Sequence, residues 1–286
     1  MTIEAFQEIV WEYYRQHSRD LPWRAPGLSA YEILVSEMML QQTQVSRVIP
    51  KYHSFLRHFP AAKDLDGAPL SAVLAEWSGL GYNRRAKYLH EAAKQLVDSQ
   101  QPWTLDDLAA CKGVGPNTAA AVLVYAYNQP LVFIETNIRT VFIHHFFPNR
   151  RNVSDKEILP LVERALLVEK GKEQPETLAM PKPGAMRKTV GLSHYREWYW
   201  ALMDYGVFLK STAGNASRSS RHYTKQSKFA GSKRQIRGQV LRLLGTRNHT
   251  RAEISAAIQD ERLDAVLKDL LIEGLVTETR VGLHLG

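Results

Sequence analysis

Apolar residues recur at three- and four-residue spacing through most of the first 210 positions, and pairs of glycines, not alternating segments, interrupt them. Ile3, Phe6, Ile9, Val10 and Tyr13 lay one apolar stripe along a helix over residues 3–17. Ser29, with Glu32 three residues on, makes a capping box that opens the next run, SAYEILVSEMMLQQTQVSRVIPKYHSFLRHF. That run is predicted to stay helical through its glutamines and to kink or divide at Pro50. Gly79 and Gly81 divide the next stretch into two helices, and Gly113 and Gly115 divide TLDDLAACKGVGPNTAAAVLVYAY into two more. TNIRTVFIHHFF and REWYWALMDYGVFLK read as further helices, and the polar, Pro-rich residues 169–190 as a loop. Few segments alternate as a half-buried strand would, so the fold class is all-α over residues 1–210.

The remainder changes character. Residues 211–233 form a linker rich in Ser, Gly and basic residues. Residues 234–286 read as three short helices and LVTETRVGLHLG as a small hairpin, together a winged-helix-like (α+β) module. Its third helix would face a major groove in such a module, but Glu261, Asp264 and Asp269 make it a poor reader of DNA.

Charge narrows the choice of partner. The formal net charge is +8, and from Tyr205 to Ala252 eleven Lys and Arg occur with no Asp or Glu. A one-sided block of that kind fits a polyanion, with a solubilising linker as the bland alternative. The single cysteine, Cys111, excludes an internal disulfide and any site built from several thiolates. No apolar stretch is long enough to span a membrane, and the acidic N-terminus does not read as a secretory signal. The expected compartment is the cytoplasm, in association with the nucleoid.

Two segments carry chemistry. SEMMLQQTQV (36–45) sets one acid, Glu37, beside the apolar Met38, Met39 and Leu40 and follows it with the amides Gln41, Gln42 and Gln44. An apolar neighbourhood disfavours a charged carboxylate and so favours a proton donor. Neutral amides both donate and accept without charge repulsion. KGVGPNTAAAVL (112–123) makes a tight turn between helices. The backbone amides of Gly113, Val114 and Gly115 can converge on an anion toward which the following helix points its positive end, and the run from Thr118 to Ala121 lets two helices pack closely; Thr118 is also a candidate DNA contact. Taken alone, a Gly-x-Gly of this kind equally suits a plain helix–helix turn.

LPWR (21–24), SEMMLQQTQV, GLGY (79–82), GVGPNTAAAVL and ALMDYG (201–206) resemble, in that order, segments of MutY-type adenine DNA glycosylases. The resemblance covers roughly residues 5–210 and implies membership of the helix-hairpin-helix (HhH-GPD) superfamily. It implies a two-part helical core over 1–210, with a six-helix part at about 25–130 and the remainder from the N-terminal helix and residues 131–210. Glu37 would then protonate the leaving purine, and a second carboxylate, here Glu135 where the family has an aspartate, would stabilise the oxocarbenium-like sugar. Asn117 stands where bifunctional relatives carry a lysine, so no Schiff base and no AP lyase activity are expected. Trp23, Arg24, Leu40 and Trp200 would line the base pocket. Gln41, Gln42, Thr43, Tyr82, Arg84 and Arg85 would contact DNA, with Tyr82 as a wedge and the arginines on phosphates.

Three departures bear on the inference. The cysteines that hold an iron–sulfur cluster in most relatives are missing after ALMDYG, so no iron–sulfur cluster is expected, and a monovalent cation at the hairpin turn is the only ion the resemblance implies. The family's carboxy-terminal reader of 8-oxoguanine is replaced by the short module. Trp200 stands where a pocket Gln or Glu is usual. The expected function is base excision repair of adenine opposite 8-oxoguanine or G, by a monomer acting on mismatched or damaged double-stranded DNA. The same chemistry on uracil or thymine in G mismatches or on a damaged purine, and a non-catalytic DNA-binding protein, are the alternatives.

Overall fold

The computed structural model of the chain describes residues 1–167 and 194–286; the loop expected over 169–190 lies outside these. In chain order the helices are α1 (Ile3–His17), α2 (Ala30–Leu40), α3 (Val45–His58), α4 (Ala62–Asp66), α5 (Leu70–Trp77), α6 (Arg84–Leu96) and α7 (Leu105–Ala110). Then come α8 (Pro116–Tyr127), α9 (Thr136–Phe146), α10 (Asp155–Leu167), α11 (Tyr195–Thr212), α12 (Lys233–Leu244), α13 (Arg251–Ala257) and α14 (Leu263–Ile272). The antiparallel strands β1 (Val276–Thr279) and β2 (Gly282–Leu285) close the chain, with Val276 opposite Leu285. The described chain is therefore helical apart from this hairpin, as the sequence predicts.

The chain forms two units, each assembled from distant segments: residues 1–21 with 116–225, and residues 22–115 with 226–286. In the first unit α11 packs on α9 and α1 packs on α11. Phe6 of α1 sits fully buried, its ring 5.0 Å from Phe142 of α9 and 6.0 Å from Trp198 of α11. Burial of aromatic side chains of this size contributes about 2–3 kcal/mol each. Arg19 fastens the N-terminal segment by donating from Nε to Asp204 at 2.6 Å and from its backbone N at 3.0 Å. Gly206, buried within α11 two residues after that aspartate, lies close against α9. A Cβ there would meet the Asn137 Cβ and carbonyl at 2.8 Å.

In the second unit α2, α3, α5 and α6 pack around Met38, Met39, Phe55 and Trp77, all fully buried. Ser29 and Glu32 form the expected capping box on α2. The helical run does not divide at Pro50, contrary to the sequence expectation. It divides at the glutamines: Gln41 caps the end of α2, Gln42 takes a left-handed φ of 55°, and Gln44 caps the start of α3. Pro50 sits in the second turn of α3, where the helix continues to His58 at the loss of one backbone bond.

The C-terminal module belongs to this unit. α12 packs on α14, and β2 reaches both α12 and α5. The backbone of His249 pairs with Leu283, which adds a third edge to the wing. Glu273, which caps the end of α14, ties the module to α6. It pairs with Arg237 of α12 and lies 3.7 Å from Arg84, and its carbonyl accepts from Lys87 Nζ at 2.7 Å.

Candidate active site

In the second unit Glu37 lies half-buried on the last turn of α2, flanked by the fully buried Met38 and Met39. Leu40, one residue on, is also half-buried. The last carbonyls of a helix have no partner within it. Here Arg85 supplies one, donating from Nη1 to Met38 O at 2.6 Å and to Met39 O at 2.9 Å. Its Nη2 donates to Thr43 Oγ1 at 3.0 Å and to Gly81 O at 2.9 Å. One guanidinium thus staples the end of α2, the glutamine loop and the Gly79–Tyr82 turn together. Burial pushes its pKa down to about 10, and it stays charged at neutral pH.

This corrects two expectations. Arg85 was expected on phosphate, but it is only 7% exposed and its donors point inward to these carbonyls. Thr43 was expected on DNA, but its hydroxyl is half-buried and engaged by Arg85. The geometry had a weak signal at best in the sequence, because the two partners are more than forty residues apart. Gln42 and Gln44 remain exposed, and Gln41 is half-buried. Arg84 is exposed beside Glu273.

Tyr82 is half-buried with a left-handed φ of 48°. Few non-glycine residues hold that conformation unless their surroundings fix it. Its ring lies 5.5 Å from the Arg85 guanidinium and 5.2 Å from that of Arg234. Arg234 is a contact the sequence did not single out, and only the basic block of the linker and module hinted at it. Trp23, in a short 3-10 turn, is buried edge-on against Tyr52 at 5.7 Å, and Arg24 beside it is half-buried.

The hairpin follows α7. Gly113 has a φ of 84°, and a Cβ there would fall 2.3 Å from the Tyr88 ring, so only glycine fits. Val114 is buried and its N donates to Cys111 O at 3.1 Å, while Gly115 is exposed.

In the first unit Pro116 opens α8, and Asn117 and Thr118 lie on its first turn. Asn117 Oδ1 accepts from Ile134 N at 3.3 Å, so this amide helps hold the segment that leads into α9. Glu135 is the N-cap of α9, its Oε1 accepting from Asn137 N at 2.7 Å and Ile138 N at 3.3 Å. Lys210 of α11 donates to Asn137 Oδ1 at 2.6 Å. Burial lowers the Lys210 pKa, and the nearby Glu135 charge works against that. Trp200 of α11 is half-buried and stacks on Tyr125 at 6.3 Å. Among the described residues no group of three His, Cys, Asp or Glu is placed to hold a metal ion.

A family model for the HhH-GPD superfamily base excision DNA repair protein matches residues 35–166. The adenine DNA glycosylase of Mycolicibacterium smegmatis is 34% identical over an alignment covering 99% of this chain and 95% of that protein. That of Mycobacterium tuberculosis is 33% identical, with 93% and 88% covered. A solved structure of a thermostable thymine-DNA glycosylase shares the fold, with a TM-score of 0.55 and 22% identity over 71% of this chain and 85% of that one. The chain belongs to the MutY-type adenine DNA glycosylases of the HhH-GPD superfamily of base excision DNA repair proteins.

Proposed function

We propose that this protein hydrolyses the N-glycosidic bond of adenine mispaired with 8-oxoguanine or G in duplex DNA and leaves an abasic site without cutting the strand. The observation that carries this reading is the end of α2. A half-buried acid, Glu37, stands among buried methionines immediately before a non-helical loop that exposes Gln42 and Gln44. Glu37 protonates the leaving base, and Glu135 stabilises the cationic sugar. Asn117 has no amine to attack the sugar, which supports a monofunctional reaction. Trp23, Arg24 and Leu40 of the second unit contact the extruded base. Gly113, Val114, Gly115 and Thr118 hold phosphate at the hairpin, where a monovalent cation, if bound, would add positive charge beside the phosphate.

An iron–sulfur cluster does not fit this chain, because a single cysteine cannot ligate one and Cys111 is buried. The protein acts as a monomer on duplex DNA. Trp200, stacked on Tyr125 where relatives place an amide or acid, favours a second reading in which the base excised differs.

The test is single-turnover base release from duplexes carrying adenine opposite 8-oxoguanine, adenine opposite G, uracil opposite G and thymine opposite G, scored with and without alkali. Strand breaks only after alkali, from the adenine duplexes, and lost by about 10²–10⁴-fold in Glu37→Gln, are expected. Release from uracil or thymine alone would move the substrate, and strand cleavage without alkali would overturn the monofunctional assignment.

A further inference from the structure

Tyr82 is held at its hydroxyl by two residues of the C-terminal part of the chain. Gln226 Nε2 donates to its hydroxyl at 2.6 Å, and Arg234 donates to the same oxygen at 2.8 Å. The Arg234 guanidinium also lies over the ring and donates to Ser227 O at 2.5 Å, so one side chain fixes both the tyrosine and the incoming linker. Arg234 is in turn fixed by α12. One turn further along, Arg237 pairs with Glu273, which Lys87 holds to α6. Beside Tyr82 opens a cleft of about 580 Å³, lined among others by Gln42, Gln44, Phe229, Arg234 and Arg242.

A planar cation that lies over the ring and bonds the hydroxyl of a tyrosine in a strained turn leaves the ring little freedom. An aromatic group that is already ordered loses less entropy when it enters a base stack. Arginine suits the task because a lysine would supply the charge without the planar contact.

We propose that Arg234 and Gln226 are positioning residues for Tyr82, through which the C-terminal module takes part in opening the duplex. The first helix of the module, α12, is thereby its nucleic-acid-facing element, and not the third. This inference rests on the proposed glycosylase function together with the wedge role that the family resemblance implies for Tyr82.

The test uses the full chain and its variants Arg234→Ala, Arg234→Lys, Gln226→Ala, Tyr82→Phe and the double variant Tyr82→Phe with Arg234→Ala. Two readouts are taken on duplexes with adenine opposite 8-oxoguanine: the fluorescence rise of a 2-aminopurine next to the adenine, which reports unstacking before chemistry, and single-turnover base release. Release from adenine in a one-base bulge, already unstacked, serves as the third. Arg234→Ala and Tyr82→Phe are expected to slow unstacking and duplex release about tenfold and to leave bulge release near the wild-type rate. Arg234→Lys should rescue only part of the loss. The double variant should be no slower than the slower single one, because both cut the same contact. Additive losses, equal losses on duplex and bulge, or variants faster than wild type would each overturn the inference, the last by making Arg234 a restraint on Tyr82. If the wild type releases no base from any duplex, the proposed function fails, and the unstacking signal still decides the role of Arg234.

Discussion

Glu135 shows how one side chain can serve structure and chemistry at once. As N-cap it satisfies two of the orphan amides of α9. As a carboxylate it is the proposed partner of a sugar cation. The two roles separate by substitution. Glu135→Asn retains a good cap and removes the charge, so its melting temperature should stay close to that of the wild type while base release falls by about 10²-fold or more. Glu135→Ala loses the cap as well and should cost about 1 kcal/mol of stability. Thermal melts beside single-turnover rates check the pair. If Glu135→Asn releases base at the wild-type rate, the acid is only a cap.

The elements show which parts of the fold were legible in the sequence. α1, the capping box of α2 and the breaks at Gly79–Gly81 and Gly113–Gly115 follow from local rules, and the structure has them where those rules put them. The end of α2 does not follow from local rules. Glutamine is a good helix former and proline a poor one, so local propensity favours a break at Pro50. The break at Gln41 is fixed by Arg85, whose guanidinium takes the Met38 and Met39 carbonyls from far along the chain. The same distance made Arg85 look like a phosphate contact and kept Arg234 out of view. Helix α9 carries a further consequence of tertiary packing. His145 stacks on Tyr205 at 5.6 Å, with Nε2 3.0 Å from the hydroxyl, and meets Phe6 edge-on. Burial first, and the neighbouring His144 second, push its pKa down to about 4. The folded value lies below the ordinary 6.5, so the unfolded chain binds more protons between the two. The stabilisation is therefore present above about pH 6.5 and is lost as pH falls toward 4. Because the ring is partly exposed, the loss should be about 1–2 kcal/mol, less than the full shift would give. His145→Phe keeps the stacked ring and should flatten the melting temperature between pH 7 and pH 4. An unchanged slope would place the acid sensitivity elsewhere.

At the scale of the whole molecule, both units are closed by segments distant in sequence. The N-terminal segment joins residues 116–225 through Arg19 and Asp204, and the C-terminal module joins residues 22–115 through the contacts of Glu273 with Lys87 and Arg84. The basic block that first pointed to a polyanion is divided by these same contacts. Arg237 is engaged by Glu273, Arg247 by Glu253 and Arg251 by Glu278, whereas the exposed Lys228, Lys233 and Arg242 make no ion pair among the described residues. Charges held by a carboxylate neutralise little phosphate, so the two groups should differ in their effect on DNA binding. Each phosphate neutralised contributes a slope of about −0.9 to the dependence of log affinity on log salt. Replacing Lys228, Lys233 and Arg242 together by alanine should therefore reduce the steepness of that dependence by roughly 2–3, measured by titrating labelled duplex at several salt concentrations. Replacing Arg247 and Arg251 should leave the slope close to that of the wild type. An equal reduction from the two sets would mean that the protein's field acts as a whole and that no particular residues meet the backbone. A slope unchanged by the first set would remove these three side chains from the DNA path.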